Sequence, residues 1–207
     1  MTCALLFTCL GFLSGSILFS YHIPLWFRHV DIVQASCDHN PGAANAVRCA
    51  GVPLGLVCVA LDIAKGCWPV FAASRILGVD TPLMCPVMLA PVLGHALGLA
   101  YRFRGGKAIA VTFGVLAGLL PLSRVVFVLA FWYVVFSVVI VVRPNEKRSV
   151  AAFGCFAASC LLLVLLRTHR WWLALGCLAV ACVPAYKNWA DIRRDPLPNA
   201  QPVPQKR

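Results

Sequence analysis

Two stretches of this chain concentrate the side chains that could do chemistry. The first, CDHNPGAANAVRCAG at 37–51, sets Asn40 and Asn45 around Gly42, Ala43 and Ala44, with Asp38 before them and Arg48 after. Small residues let backbone N–H groups approach a ligand closely, and side-chain amides add donors. The pattern predicts a helix that begins at the alanines and aims its N-terminus at the loop, where unpaired N–H groups and the helix dipole favour an anion. Arg48 then lies about one turn inside, on the face shared with Asn45 and Ala44. The second stretch, YRFRGGKAIAVTFG at 101–114, places Gly105 and Gly106 between Arg104 and Lys107. Such a turn can act as a phosphate-binding nest of N–H groups flanked by cations. It is equally what a glycine-rich link carrying topological charge looks like.

Two further features are polar where the surroundings are apolar. Asp62 and Lys65, in LDIAKG, are three apart and share a helix face. Ionisable groups in a membrane helix cost on the order of 2.5–3.5 kcal/mol each if they face lipid, so this pair is expected inside a bundle or beside a polar cavity. It serves either as a structural ion pair or as support beneath a ligand site. His95, in LGHALG, is either a hydrogen-bonded packing residue or a participant in the chemistry.

The elements that must position these residues are membrane helices. The 207-residue chain is 61% hydrophobic and 12% charged, with a mean hydropathy of +0.84, which excludes a soluble globular domain. A transmembrane β-barrel would alternate polar and apolar residues, whereas runs such as VVFVLAFWYVVFSVVIVV at 125–142 are continuous. The expected fold is all-α: a polytopic integral membrane protein of about seven transmembrane helices. The apolar segments fall at about 3–25, 50–73, 84–101, 107–122, 125–142, 149–166 and 171–187. The first of them has no basic residue ahead of it, since Arg28 is the first in the chain, and is read as a helix rather than a cleaved signal. Residues 1–192 form one transmembrane domain, and 193–207, rich in Pro and polar residues, reads as a disordered cytoplasmic tail.

Charge orients the bundle. With seven spans, one side receives thirteen Lys and Arg residues and the other only Arg75, Arg124, Arg167 and Arg170. The positive-inside rule puts the rich side in the cytoplasm, the N-terminus outside and the C-terminus inside. Both polar loops then face the cytoplasm. Much of the +11 net charge is topological charge beside anionic headgroups and gives no reason to infer nucleic acid. The eleven cysteines contain no C-x-x-C pair, and most lie in apolar runs as small lipid-compatible residues. No cluster implies a metal or an organic cofactor, and protein partners are left open. There is no G-x-S-x-G elbow, Walker motif, H-E-x-x-H or H-x4-D pattern. Two anion-receptive loops beside a bilayer suggest joining a phosphorylated headgroup to a lipid chain.

In these motifs the chain resembles the bacterial acyl-phosphate:glycerol-3-phosphate acyltransferases (PlsY). That family's pattern runs G-S-I-P-F-G-Y, G-S-G-N-x-G-A-T-N-x-x-R, D-x-x-K-G, G-H, K-G-G-K-G and, near the end, H-R-x-N. This chain has GSILFSY (15–21), CDHNPGAANAVR (37–48), DIAKG (62–66), GH (94–95) and RGGKAIAVTFG (104–114), in the same order. The resemblance covers about residues 11–114, with only helices beyond. It implies a bacterial plasma-membrane enzyme, its active face cytoplasmic, that moves an acyl chain from acyl-phosphate to glycerol 3-phosphate, giving 1-acylglycerol 3-phosphate (lysophosphatidic acid) for phospholipid synthesis. It further implies a substrate-assisted reaction in which a phosphate oxygen, rather than a side chain, takes the hydroxyl proton. By match, Asn40, Gly42, Ala43, Ala44 and Asn45 would cradle acyl-phosphate, while Arg48 and Lys107 would hold glycerol 3-phosphate.

Four departures stand out. Asp38 replaces the serine of G-S-G-N, and Ala44 replaces a threonine. His39 takes the place of a glycine. Near the end YKNWADI (186–192) puts Asn188, Trp189 and Asp191 where the family has His, Arg and Asn. A carboxylate at position 38 would repel two phosphates unless it paired with Arg28, Arg48 or Lys107. These changes keep open a relative that uses another acceptor, or a non-enzymatic membrane protein that binds lipid precursors or regulates a true acyltransferase. A transporter fits less well, because the anion-receptive residues lie on one side only.

Overall fold

The first apolar segment does not fold as one rod. In the computed structural model, which describes residues 1–101, 103–168 and 170–193, helix α1 (Thr2–Ser16) stops at Ile17, where the backbone is extended. Helix α2 (Phe19–Arg28) then resumes. The break frees the Ile17 carbonyl from helical bonding, and the buried ammonium of Lys65 donates to it. A short α3 (Ile32–Ala35), capped by the Asp31 carboxylate, leads into the first polar loop.

Helix α4 (Ala43–Ala50) begins at the predicted alanines but is separate from the long α5 (Val52–Leu77). Gly51, at φ +94°, makes the corner between them, a conformation that side-chain-bearing residues rarely adopt. Helix α6 (Met84–Leu97) ends at Gly98 in the left-handed region. Helix α7 (Ile109–Ala117) is far shorter than the apolar run suggested, because the chain leaves helical geometry in turns from Gly118 to Leu122. Helices α8 (Val125–Val134), α9 (Asn145–Leu163) and α10 (Trp171–Arg193) complete the chain, α8 and α9 each running on into a wider helical turn at its end. Helix α10 extends one residue into the stretch read as a tail, and 194–207 lie outside the described residues.

Small residues set the closest approaches. A Cβ on Gly15 would lie 2.2 Å from the carbonyl oxygen of Pro91, and one on Gly94 would lie 2.2 Å from that of Phe12. Helices α1 and α6 therefore meet backbone to backbone, the kind of contact that dispersion supports in lipid, where no hydrophobic effect draws helices together. Gly114 repeats this on α5, where an added Cβ would meet the Ile63 carbonyl at 2.0 Å. The core between α5, α6, α9 and α10 is filled by Val70, Met84, Met88, Leu116, Phe153 and Phe156, all buried.

The outside is as apolar as the inside. Leu5, Val57, Phe127, Val138 and Leu162 are exposed, a surface that water would not tolerate at this extent and a bilayer would. Four helical stretches are long and apolar enough to cross one: Thr2–Arg28, Val52–Leu77, Asn145–Leu166 and Trp171–Arg193. Met84–Leu97 and Val125–Val139 are apolar but shorter. Every regular element among the described residues is helical, with no strand among them.

Candidate active site

The first polar loop closes on itself before it meets any ligand. The Asn45 side-chain amide donates to Oδ1 of Asp38 at 2.6 Å and to the Asn40 carbonyl at 2.9 Å. Asn45 is thereby spent holding the loop against α4. A Cβ on Gly42 would sit 2.5 Å from the Asn40 side-chain nitrogen, so a larger residue there would push the Asn40 amide aside. The Gly42 carbonyl takes the N–H groups of Asn45 and Ala46, and no side chain caps α4. The N–H groups of Ala43 and Ala44 are left open at a cavity wall, where an anion would complete them.

That cavity, about 300 Å3 in volume, joins parts far apart in sequence. The Asp38–Asn45 loop and Arg48 form one wall, and Lys107 through Ala110 form another. Asp62 and His95 lie beneath, and Asn145, Glu146, Ser149 and Asn188 close the far side. Asn188, buried, donates its amide to the Pro184 carbonyl one turn back, so its orientation is fixed by its own helix.

Lys107 is the electrostatic centre. Its ammonium touches three carboxylates: Asp38 Oδ2 at 3.0 Å, Glu146 Oε1 at 2.9 Å and Asp191 Oδ2 at 3.1 Å. An ammonium has three protons to donate, and three carboxylates account for all of them. Asp38 is pulled in opposite directions. Burial raises its pKa, but the Asn45 amide and the Lys107 ammonium outweigh this and hold it below the ordinary carboxylate value. Of the two cations expected to receive phosphate, Arg48 is exposed and carries no carboxylate partner among the described residues, while Lys107 is already engaged.

The floor is a buried polar chain. Lys65 lies 2.7 Å from Asp62 Oδ1, and Ser20 donates to the other carboxylate oxygen. Lys65 also lies 2.9 Å from Nδ1 of His95. A protonated amine can only donate there, so Nδ1 accepts and the ring proton sits on Nε2. Asp62 and Lys65 form the ion pair that their spacing allows, and Asp62 also lines the cavity.

The glycine pair has a different role from the predicted one. A Cβ on Gly105 would lie 2.2 Å from the His95 carbonyl oxygen, and one on Gly106 would lie 2.6 Å from His95 Nε2. The Gly106 N–H donates to the His95 carbonyl at 3.1 Å and so is not offered to a ligand. Gly105 and Gly106 seat the loop on the end of α6, and neither they nor the exposed Arg104 line the cavity. Asn145, Glu146 and Ser149 were not anticipated. Glu146 is the chain's only glutamate, set in an otherwise basic turn, which was the available signal.

Comparison with known proteins gives a consistent picture. A family model described as glycerol-3-phosphate acyltransferase matches residues 5–195. The glycerol-3-phosphate acyltransferase of Thermotoga petrophila is 40% identical over 130 residues, 63% of this chain and 65% of that protein. The one from Myxococcus xanthus is 40% identical over 152 residues, 73% of this chain and 76% of its own length. The chain thus spans just under two thirds of the Thermotoga protein it matches. Among solved structures, the glycerol 3-phosphate form of PlsY (YgiH), an integral membrane glycerol 3-phosphate acyltransferase, superposes with a TM-score of 0.77 at 26% identity, covering 92% of this chain and 90% of that one.

Proposed function

Because the chain belongs to the glycerol-3-phosphate acyltransferase family, we propose that it transfers an acyl chain from acyl-phosphate to glycerol 3-phosphate, forming 1-acylglycerol 3-phosphate and releasing inorganic phosphate. The observation that carries this reading is the convergence of the α4 N-terminus, Arg48 and Lys107 on one cavity of about 300 Å3. In this reading the open N–H groups of Ala43 and Ala44, with Asn40 beside them, hold the donor phosphate. Arg48 and Lys107 hold the acceptor phosphate. The acceptor hydroxyl attacks the acyl carbonyl, the bond to the donor phosphate breaks, and a phosphate oxygen takes the hydroxyl proton. The protein supplies position and charge stabilisation, which suffice when the leaving group is already good.

The proposed setting is a bacterial plasma membrane crossed seven times, with the N-terminus outside and the C-terminus and cavity on the cytoplasmic side. The seven spans would be α1 with α2, then α5, α6, α7, α8, α9 and α10. The basic-residue asymmetry supports this direction. Acyl-phosphate, glycerol 3-phosphate and membrane lipid are the partners this setting requires.

The test is acyl transfer by purified protein in lipid, from acyl-phosphate to glycerol 3-phosphate, beside Lys107→Ala. Turnover that disappears in the folded variant supports the reading, and no turnover from folded wild type overturns it. One observation favours a second reading, an altered relative with another acceptor or none: all three Lys107 protons face carboxylates. No turnover with glycerol 3-phosphate, beside turnover with another acceptor or with none, is the outcome that reading expects.

A further inference from the structure

The two oxygens of Asp38 serve different halves of the site. Oδ1 accepts from the Asn45 amide at 2.6 Å and belongs to the loop that faces the donor. Oδ2 accepts from Lys107 at 3.0 Å and belongs to the acceptor side. Of the three carboxylates on Lys107, Asp38 alone comes from a loop, since Glu146 lies in the first turn of α9 and Asp191 in the last turn of α10. It is also the most accessible, with its side chain 37% exposed against 23% for each of the others. A helix-borne carboxylate can leave Lys107 only by turning its side chain on a fixed backbone, whereas Asp38 can also move with its loop.

The three carboxylates on Lys107 outnumber the two cations, Lys107 and Arg48, and leave a net negative charge where the acceptor phosphate is to bind. A phosphate arriving there meets an ammonium without a spare proton and carboxylates that repel it. Both problems are solved by the same movement, in which one carboxylate withdraws and a phosphate oxygen takes its proton.

We propose that Asp38 is an intramolecular stand-in for the acceptor phosphate: it occupies Lys107 in the empty site and must leave it before the phosphate monoester of the acceptor alcohol can bind. This rests on the assignment of the acceptor side to Lys107 made above. Asp38 is then a residue that sets acceptor affinity and specificity. It weakens binding of doubly charged acceptors, and its withdrawal loosens the hydrogen bond to Asn45, so that acceptor arrival reshapes the loop facing the donor.

The experiment is direct binding of glycerol 3-phosphate to the full chain in lipid nanodiscs, read by calorimetry without acyl-phosphate. Asp38→Asn keeps the shape and removes the charge. It is expected to bind glycerol 3-phosphate roughly tenfold or more tightly than wild type, the scale of one charge-assisted hydrogen bond. Equal or weaker binding by the folded variant overturns the proposal. Wild-type protein offers a second readout, because Cys37 is exposed and adjacent to Asp38. Its labelling rate by a maleimide, followed at that peptide by mass spectrometry, should change when glycerol 3-phosphate is added. An unchanged rate at saturating ligand also overturns the proposal. Neither readout needs turnover, so an inactive protein that shows the tenfold difference would sink the proposed function and leave this inference standing.

Discussion

Nζ of Lys65, on α5, lies 2.9 Å from Nδ1 of His95, on α6. With Asp62 at 2.7 Å and the Ile17 carbonyl as its other partners, this one ammonium joins three helices beneath the cavity. His95 is turned so that Nε2, its protonated nitrogen, lies beside Gly106. Its two nitrogens therefore have separable roles. An asparagine can reproduce an acceptor at the Nδ1 position, whereas a glutamine reproduces Nε2. His95→Asn is expected to fold close to wild type, while His95→Gln loses on the order of 1–3 kcal/mol because Lys65 is deprived of an acceptor. Denaturation of the two variants side by side checks the order, and the reverse order would refute it.

Removing one member of the buried pair should be worse than removing both. Lys65→Met leaves the Asp62 carboxylate without its cation, and Asp62→Asn strands the ammonium. Each is expected to cost about 3–5 kcal/mol. The double variant Asp62→Asn, Lys65→Met should recover a large part of that loss, as a thermal melt in detergent would show. Additive losses would mean that the two residues do not act as a pair.

Glycine substitutions should divide by what their new Cβ meets. Gly105→Ala places a methyl 2.2 Å from the His95 carbonyl oxygen and forces the loop off α6. A drop in melting temperature of several degrees is expected, with ligand binding impaired. Gly154, within α9, has nothing within 4 Å of the same position. Gly154→Ala should therefore stabilise, by about 0.5–1 kcal/mol from helix propensity. Equal effects from the two substitutions would contradict the packing described.

Acid should loosen the loop through Asp38. Its folded pKa is below the ordinary carboxylate value, because the Asn45 amide and Lys107 outweigh the effect of burial. A depressed carboxylate contributes stability that is present above its unfolded pKa, about 3.9, and is lost as pH falls through the lower folded value. Wild-type melting temperature should thus fall below about pH 4 more steeply than that of Asp38→Asn. Glu146 and Asp191 face the same lysine, so the comparison between the two proteins isolates the share of Asp38. Parallel curves would remove Asp38 from the account.

The sequence revealed most where polar residues interrupt an apolar background. The Asp38–Arg48 loop, Lys107, His95 and the Asp62–Lys65 pair could all be picked out in this way, and the fold brings every one of them to a single cavity or its floor. Glu146 gave a weaker signal as the chain's only glutamate, because an acid at the start of a helix is common for reasons of dipole alone. Asp191 was visible only as a departure from a motif, with no sign that it would reach Lys107. Gly105 and Gly106 misled for a physical reason. Glycines that expose N–H groups to a ligand and glycines that admit a neighbouring backbone look the same in one dimension. The helix ends also depended on three-dimensional detail, as α7 shows by stopping at Ala117 within a longer apolar run.

The backbone contact between α1 and α6 has a consequence for how the protein is made. Gly94 follows Gly15 by 79 positions, so α1 enters the membrane long before the surface it fits exists. At ribosomal speeds of ~5–20 residues per second, that wait is on the order of ten seconds. During it, the Ile17 carbonyl at the break after α1 can gain Lys65 as a partner, but the seam itself stays open until α6 arrives. The seam between α1 and α6 is therefore closed only by a helix from the middle of the chain, and α8 to α10 pack on afterwards.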